Sequence, residues 1–179
     1  MNSHRITVFL SLLLALPAAA PAPALAQAEI MSVGWEFSRT QGKERASYAP
    51  VTELRLDPEV KFSGHLRALV TLRNPAARPV EGLVLRYAVR LRLLRKGDPA
   101  DKAFWGAPFY TEEVRVSKIA PGSERTARLI HFDLSEQLRK LRNTGFSPEA
   151  VKVEIMVGPR QGDDPAAIVR EAVLGIVKP

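Results

Sequence analysis

Beyond the first 26 residues only two histidines occur, His65 and His131, and each falls inside an alternating strand pattern. A histidine metal site needs further ligands at fixed offsets, and no second imidazole or cysteine stands at such a spacing. The chain has no cysteine at all. That excludes disulfides, thiolate metal sites, thiol catalysis and a lipid-modified N-terminal cysteine. Carboxylates come in two adjacent pairs, Glu112-Glu113 and Asp163-Asp164. General acid–base work needs two carboxyls converging on one cleft with separated proton affinities, which adjacency alone does not supply. Asp163 and Asp164 stand in a Gly-Asp-Asp-Pro turn, where a loop calcium site is one reading and turn chemistry the simpler one. No Gly-x-Ser-x-Gly nucleophile elbow and no Gly-rich phosphate loop is present. The residues therefore point to a non-enzymatic protein without cofactor or metal. A hydrolase whose site the sequence does not reveal is the alternative.

Two clusters stand above that background, and both suit binding. Arg86, Arg90 and Arg92 share one face of a strand, and Arg67 and Arg73 take the polar face of the strand before it. In one sheet, these five guanidiniums would form a field for anionic polymers or lipid headgroups. The bland reading is a solvated face that resists edge-to-edge aggregation. The second cluster is Phe104-Trp105-Gly106-Ala107-Pro108-Phe109-Tyr110. Exposed, Trp105 and Phe109 offer a contact patch for a protein or a sugar; turned inward, they plug one end of the fold.

The elements that carry these residues have a period of two. Met31, Val33, Trp35 and Phe37 alternate with polar neighbours, and 39–50 reads as a loop. Leu54 and Leu56 form a short piece, resumed by Val60 and Phe62. Leu66, Ala68, Val70 and Leu72 follow. Leu83, Leu85, Tyr87, Val89, Leu91 and Leu93 make the clearest strand, with Arg90 outward. Val114 and Val116 precede Ile119 and an Ala120-Pro121-Gly122-Ser123 turn. Ile130, Phe132 and Leu134 end the next strand. Leu134, Leu138 and Leu141 then lie on one helical face over 134–143, capped by Asp133 or Ser135 and stopped at Gly145. Val151, Val153, Ile155 and Val157 alternate cleanly, whereas Arg170 and Glu171 blur the last strand, within 166–177. Seven to eight strands and one short helix predict an antiparallel β-sandwich.

Length and charge set the compartment. Met1–Arg5 carries one firm positive charge, Ile6–Leu16 is apolar apart from Thr7 and Ser11, and Ala24-Leu25-Ala26 presents small residues to a signal peptidase. The apolar run is about 11 residues against the roughly 20 of a spanning helix, and Pro17 ends it. Removing 1–26 from the 179 residues leaves 153, enough for one domain over 27–179. Arg5 leaves with the signal, so the net charge falls from +7 to +6. A cleaved secretory signal implies a periplasmic or secreted protein with no transmembrane span, and export makes nucleic acid a poor partner for its positive charge.

A strand, Asn74-Pro75, the Leu83–Leu93 strand with Tyr87 inside, then Ile119-Ala120-Pro121-Gly122 and another strand resemble an immunoglobulin or fibronectin-III-type sandwich. The same order is similar to the water-stress domain of late-embryogenesis-abundant-14-like proteins, over roughly 64–157. The resemblance implies binding or scaffolding. The expected partner is another envelope protein or an anionic envelope polymer, met through Arg86, Arg90, Arg92, Arg67, Arg73, Trp105 and Phe109; a glycan- or lipid-binding arginine face is the variant of that reading. Protein recovered after export should begin at Gln27. Intact mass or N-terminal sequencing checks this, and a chain that retains Met1–Ala26 overturns the export reading.

Overall fold

A computed structural model of the chain describes residues 28–41, 44–45, 47–56, 62–129, 134–158 and 164–178. The signal read over 1–26 lies outside these residues, as do Val60, Ile130, His131, Phe132, Asp133 and Asp163. Two sheets face each other. The smaller centres on β1 (Glu29–Gln41), which carries the short pieces β2 (Glu44–Arg45) and β3 (Ala49–Pro50). It continues through β5 (Gly64–Arg73) to β9 (Glu124–Leu129). The larger runs from β4 (Glu53–Arg55) through β11 (Val169–Val177) and β10 (Phe146–Val157) to β6 (Leu83–Arg95). On the far side of β6 lie β7 (Phe104–Trp105) and β8 (Tyr110–Val116). The helix α1 (Leu134–Leu141) follows β9 in the chain, and the single turn α2 (Pro165–Ile168) leads into β11.

The period-two residues meet between the sheets. Leu66, Ala68, Val70 and Leu72 of β5 face Leu83, Leu85, Tyr87, Val89 and Leu91 of β6, and all are buried. Val151, Val153, Ile155 and Val157 of β10 extend the same layer, which forms one continuous core. Leu134 of α1 is buried and Leu138 and Leu141 pack against that core, as their spacing requires. The helix ends at Leu141, and after a turn over 142–145 Gly145 takes φ +74°, a left-handed conformation that glycine adopts without strain.

The structure departs from the sequence pattern at definite places. A bulge between Ile30 and Ser32 inserts one residue into β1, so Ile30 is buried and Met31 is exposed. A second bulge between Pro148 and Ala150 resets β10, next to a proline that has no amide to donate. The stretch 39–50, read as a loop, instead extends β1 to Gln41 and adds β2 and β3. Leu134, expected at the end of the preceding strand, belongs instead to α1. The sandwich is antiparallel except where β4 pairs with β11 in parallel. Arg170 blurs the last alternation because it sits at an inward position and donates from Nε to the Ile30 carbonyl at the first bulge, 3.3 Å away.

One buried side chain fastens the two crossings at one end. Asn74, fully buried, donates from Nδ2 to the carbonyls of Arg78, Ile119 and Ala120 at 2.8, 3.1 and 3.2 Å. Its Oδ1 accepts the Ala76 amide at 2.9 Å. Its own amide donates to Ser123, and its carbonyl accepts from Gly122, within the Pro121-Gly122 turn. Gly122 has φ +64°, as the second central residue of such a turn requires. Asn74→Ala should lower the unfolding free energy by about 2–3 kcal/mol, because the part-buried Ala76 amide and Arg78 carbonyl each lose their protein partner, at the lower end of the about 1–3 kcal/mol that full burial would cost. Equilibrium urea unfolding measures it; a change within about 0.5 kcal/mol, the ordinary surface value, would remove Asn74 from this role.

Candidate binding face of the large sheet

Strand register decides which polar side chains meet on the outside of the large sheet. Arg90 of β6 lies opposite Lys152 of β10, which lies opposite Val173 of β11. Ala88, Glu154 and Glu171 form the next row, and Arg86, Met156 and Val169 the row after that. On the other side of β6, Glu113 stands beside Arg86 and Trp105 beside Arg92. Residues some 60 positions apart thus become neighbours about one strand spacing apart.

The charges interlock along these rows. Glu154 accepts from Arg90 Nε at 2.9 Å and pairs with Lys152 Nζ at 2.7 Å. Lys152 reaches Glu171 at 3.3 Å and lies 4.9 Å from the centre of the Trp105 ring. Arg90 also donates from Nη1 to the Gly106 carbonyl, which ties the β7 segment to the sheet. Arg86 pairs with Glu113 at 2.6 Å. Lys152 is only 8% exposed, an unusual burial for an ammonium that is sustained by two carboxylates and a ring face. The hydrogen bond that Lys152 donates to Glu154 raises the pKa of Lys152 above its ordinary value against the opposing effect of burial. Burial pushes the Glu154 carboxyl up, but hydrogen bonds and charge from Lys152 and Arg90 outweigh it and hold the group below 4.5. Beside this ladder Val169, Val173 and Val177 point outward and are 40%, 55% and 40% exposed.

The seven candidate residues are divided by the fold. Arg86, Arg90 and Arg92 do share the outer face, but Arg67 and Arg73 belong to the small sheet. The five guanidiniums therefore form no common field. Arg67 is instead paired with Glu36 on β1 at 2.6 Å and stacked 3.7 Å from the Tyr48 ring. Arg90 is half-buried in its ion pair rather than free; Arg92 is exposed, with no carboxylate paired to it among the described residues. The aromatic segment splits as well. Trp105 joins the outer face, whereas Phe109 packs against the core and serves as a plug. Phe104 stacks edge-on against Phe146.

The Glu112-Glu113 pair diverges. Glu113 faces Arg86 on the outer surface, while Glu112 accepts hydrogen bonds from Tyr87 and Tyr110 at 2.8 and 2.6 Å. Burial, and then the Glu112 carboxylate, keep the Tyr87 phenol protonated far above the ordinary tyrosine range. Asp164 caps α2, its Oδ1 accepting the Ala166 amide at 2.9 Å, which is the turn role rather than a ligand's. His65 lies exposed on β5. Among the described residues no group of three or more His, Asp or Glu side chains is placed to hold a metal. Lys152, Glu154, Glu171 and the outward valines were not singled out from the sequence. Their only signal is occupation of the polar positions of β10 and β11, which reads as ordinary solvation until the register is known.

No family model matches the sequence, and no curated protein does. Among solved structures the chain is similar to a hemolymph-type prophenoloxidase from a crustacean, with a TM-score of 0.45 and 10% identity. That likeness covers 90% of this chain and 35% of the prophenoloxidase, so the chain spans about a third of its length. It is also similar to the C-terminal domain of wzt, with a TM-score of 0.38 and 11% identity over 86% of this chain and 75% of that one. At these scores neither likeness bears on function.

Glu154 makes the ladder sensitive to acid. Its proton affinity is lowered on folding, so its contribution is present above about pH 4.5 and is lost as pH falls through the lower folded-state value. Glu154→Gln should therefore lower the melting temperature at pH 7, and the gap to the parent protein should narrow toward pH 3. Scanning calorimetry from pH 3 to 7 measures the gap; one that is independent of pH would show that the carboxylate charge contributes nothing.

Proposed function

We propose that this is an exported, non-enzymatic binding module of the bacterial cell envelope that engages an acidic partner protein through the outer face of its large sheet. The signal-like stretch 1–26 is the support for export and for a periplasmic or secreted location, with 27–179 as a single mature domain. Setting aside the two- and three-residue pieces β2, β3, β4 and β7, three strands, β1, β5 and β9, lie against four, β11, β10, β6 and β8, an arrangement that supports kinship with immunoglobulin or fibronectin-III sandwiches. Such folds host many functions, so the weight falls on the face itself.

The observation that carries the reading is the fixed packing of Lys152 on Trp105, with exposed Arg92 beside the ring and exposed valines beyond the ion pairs. Tryptophan and arginine dominate the energetics of protein interfaces, and side chains held in place before docking lose little freedom on binding. Arg92 is the cation left to meet an acidic group, while Trp105 and the valines supply apolar contact. A flat ring beside an unpaired guanidinium also fits an anionic sugar, and that is the second reading.

A photoreactive residue at position 92 should capture one envelope protein in living cells, whereas the same residue at position 67 on the opposite sheet should not. With that partner, Arg92→Gln should slow association and flatten its dependence on salt, because the Debye length falls from about 10 Å at 0.1 M to about 3 Å at 1 M. Trp105→Ala should raise the dissociation rate tenfold or more. Capture of glycan alone would favour the second reading. Equal capture from both sheets, or unchanged rates in both variants, would sink the assignment of this face.

A further inference from the structure

The end of the sandwich away from Asn74 contains a cavity of about 320 Å³ that the binding face does not use. Leu56, Phe62, Leu138, Leu141, Phe146 and Pro148 supply its apolar walls, and each of them is half-buried rather than sealed into the core. Local chain geometry opens it. The helix α1 stops at Leu141, Gly145 turns the chain in the left-handed region, and the bulge at Pro148 delays the regular pairing of β10.

Three cations also line this cavity: Lys96, Arg142 and Lys178. Lys178 is committed to Glu149 at 2.7 Å and to Ser147. Lys96 and Arg142 are exposed, and neither has a carboxylate partner among the described residues. The Lys96 amide donates to the Gly145 carbonyl at 2.8 Å, which holds the two cation-bearing turns together. Among the described residues that line it, the charged groups without a carboxylate partner are both cations, and an apolar hollow of that kind matches a ligand with a hydrocarbon body and an anionic head. A second copy of the chain fits poorly, because it would bring the same two cations against themselves.

We infer that this cavity binds one single-chain anionic amphiphile of the fatty-acid class, with its alkyl chain among Leu138, Leu141 and Phe146 and its carboxylate between Lys96 and Arg142. The volume falls at the lower end of small-molecule sites, which suits one alkyl chain and not a two-chain lipid. Each methylene taken from water should tighten binding about fourfold while the cavity still has room.

Isothermal titration with octanoate, decanoate and decanol below their aggregation limits tests this directly. Decanoate should bind at one site, about fifteenfold more tightly than octanoate and more tightly than decanol. Lys96→Gln with Arg142→Gln should bring decanoate down to the affinity of decanol, and leave decanol unchanged. Leu138→Trp, which fills the cavity, should weaken both ligands tenfold or more; the chain-length series and the surface double variant stand even if that protein fails to fold. No decanoate binding would overturn the inference. So would binding that ignores chain length, or binding that survives loss of both cations with its preference for the carboxylate intact.

Discussion

Everything that crosses between the two sheets at one end is fastened to the amide of Asn74. A sandwich core is held by apolar contact, which is strong but non-directional and leaves the relative placement of its layers loose. Directional bonds must set it. Asn74 closes β5 of the small sheet, and its side chain holds Ile119 and Ala120, which lead from β8 of the large sheet back to β9 of the small one. A bridge between Val80 and Ile119 completes the junction. Because the side chain is buried, water cannot take over these bonds, and the geometry of both crossings depends on one residue.

From that junction outward, the register of β6 does the positioning. It aligns Leu85, Val89 and Leu91 with the inner residues of β10 and, by the same stroke, sets Arg90 against Lys152 on the reverse side. Core and outer charged face are thus two readings of one strand alignment. Slippage by one residue would expose the apolar row and bury the ladder together, so the core's demand for burial also keeps the charges in place. The ion pairs in turn suit an ordered face more than a stabilising one, since partly exposed pairs contribute little to folding.

The inner faces of the long strands were legible in the sequence because alternation is imposed locally: Leu66 to Leu72, Leu83 to Leu91 and Val151 to Val157 all fall where their period puts them. The helix was legible from three leucines and the glycine after it. What alternation does not carry is sheet membership. Arg67 and Arg86 occupy equivalent outward positions on consecutive strands, yet the chain crosses from one sheet to the other between them. Bulges are also silent, since the inserted Met31 is as apolar as its buried neighbour Ile30. The partnership of Lys152, Glu154 and Trp105 was illegible for a related reason: it is created by pairing across long separations, and no local property of those residues announces it.

The parallel contact of β4 with β11 has a consequence in time. Residues 53–55 pair with 175–177, so more than a hundred residues lie between the two partners. Leu54 is nearly inaccessible once the two strands are paired, and the Leu56 amide likewise donates to the Val177 carbonyl. Pairings between such distant segments are slow to form because the intervening loop must first be closed. The β4 edge of the large sheet therefore closes late in folding, after the more local pairing of β10 with β11 has formed the strand it joins.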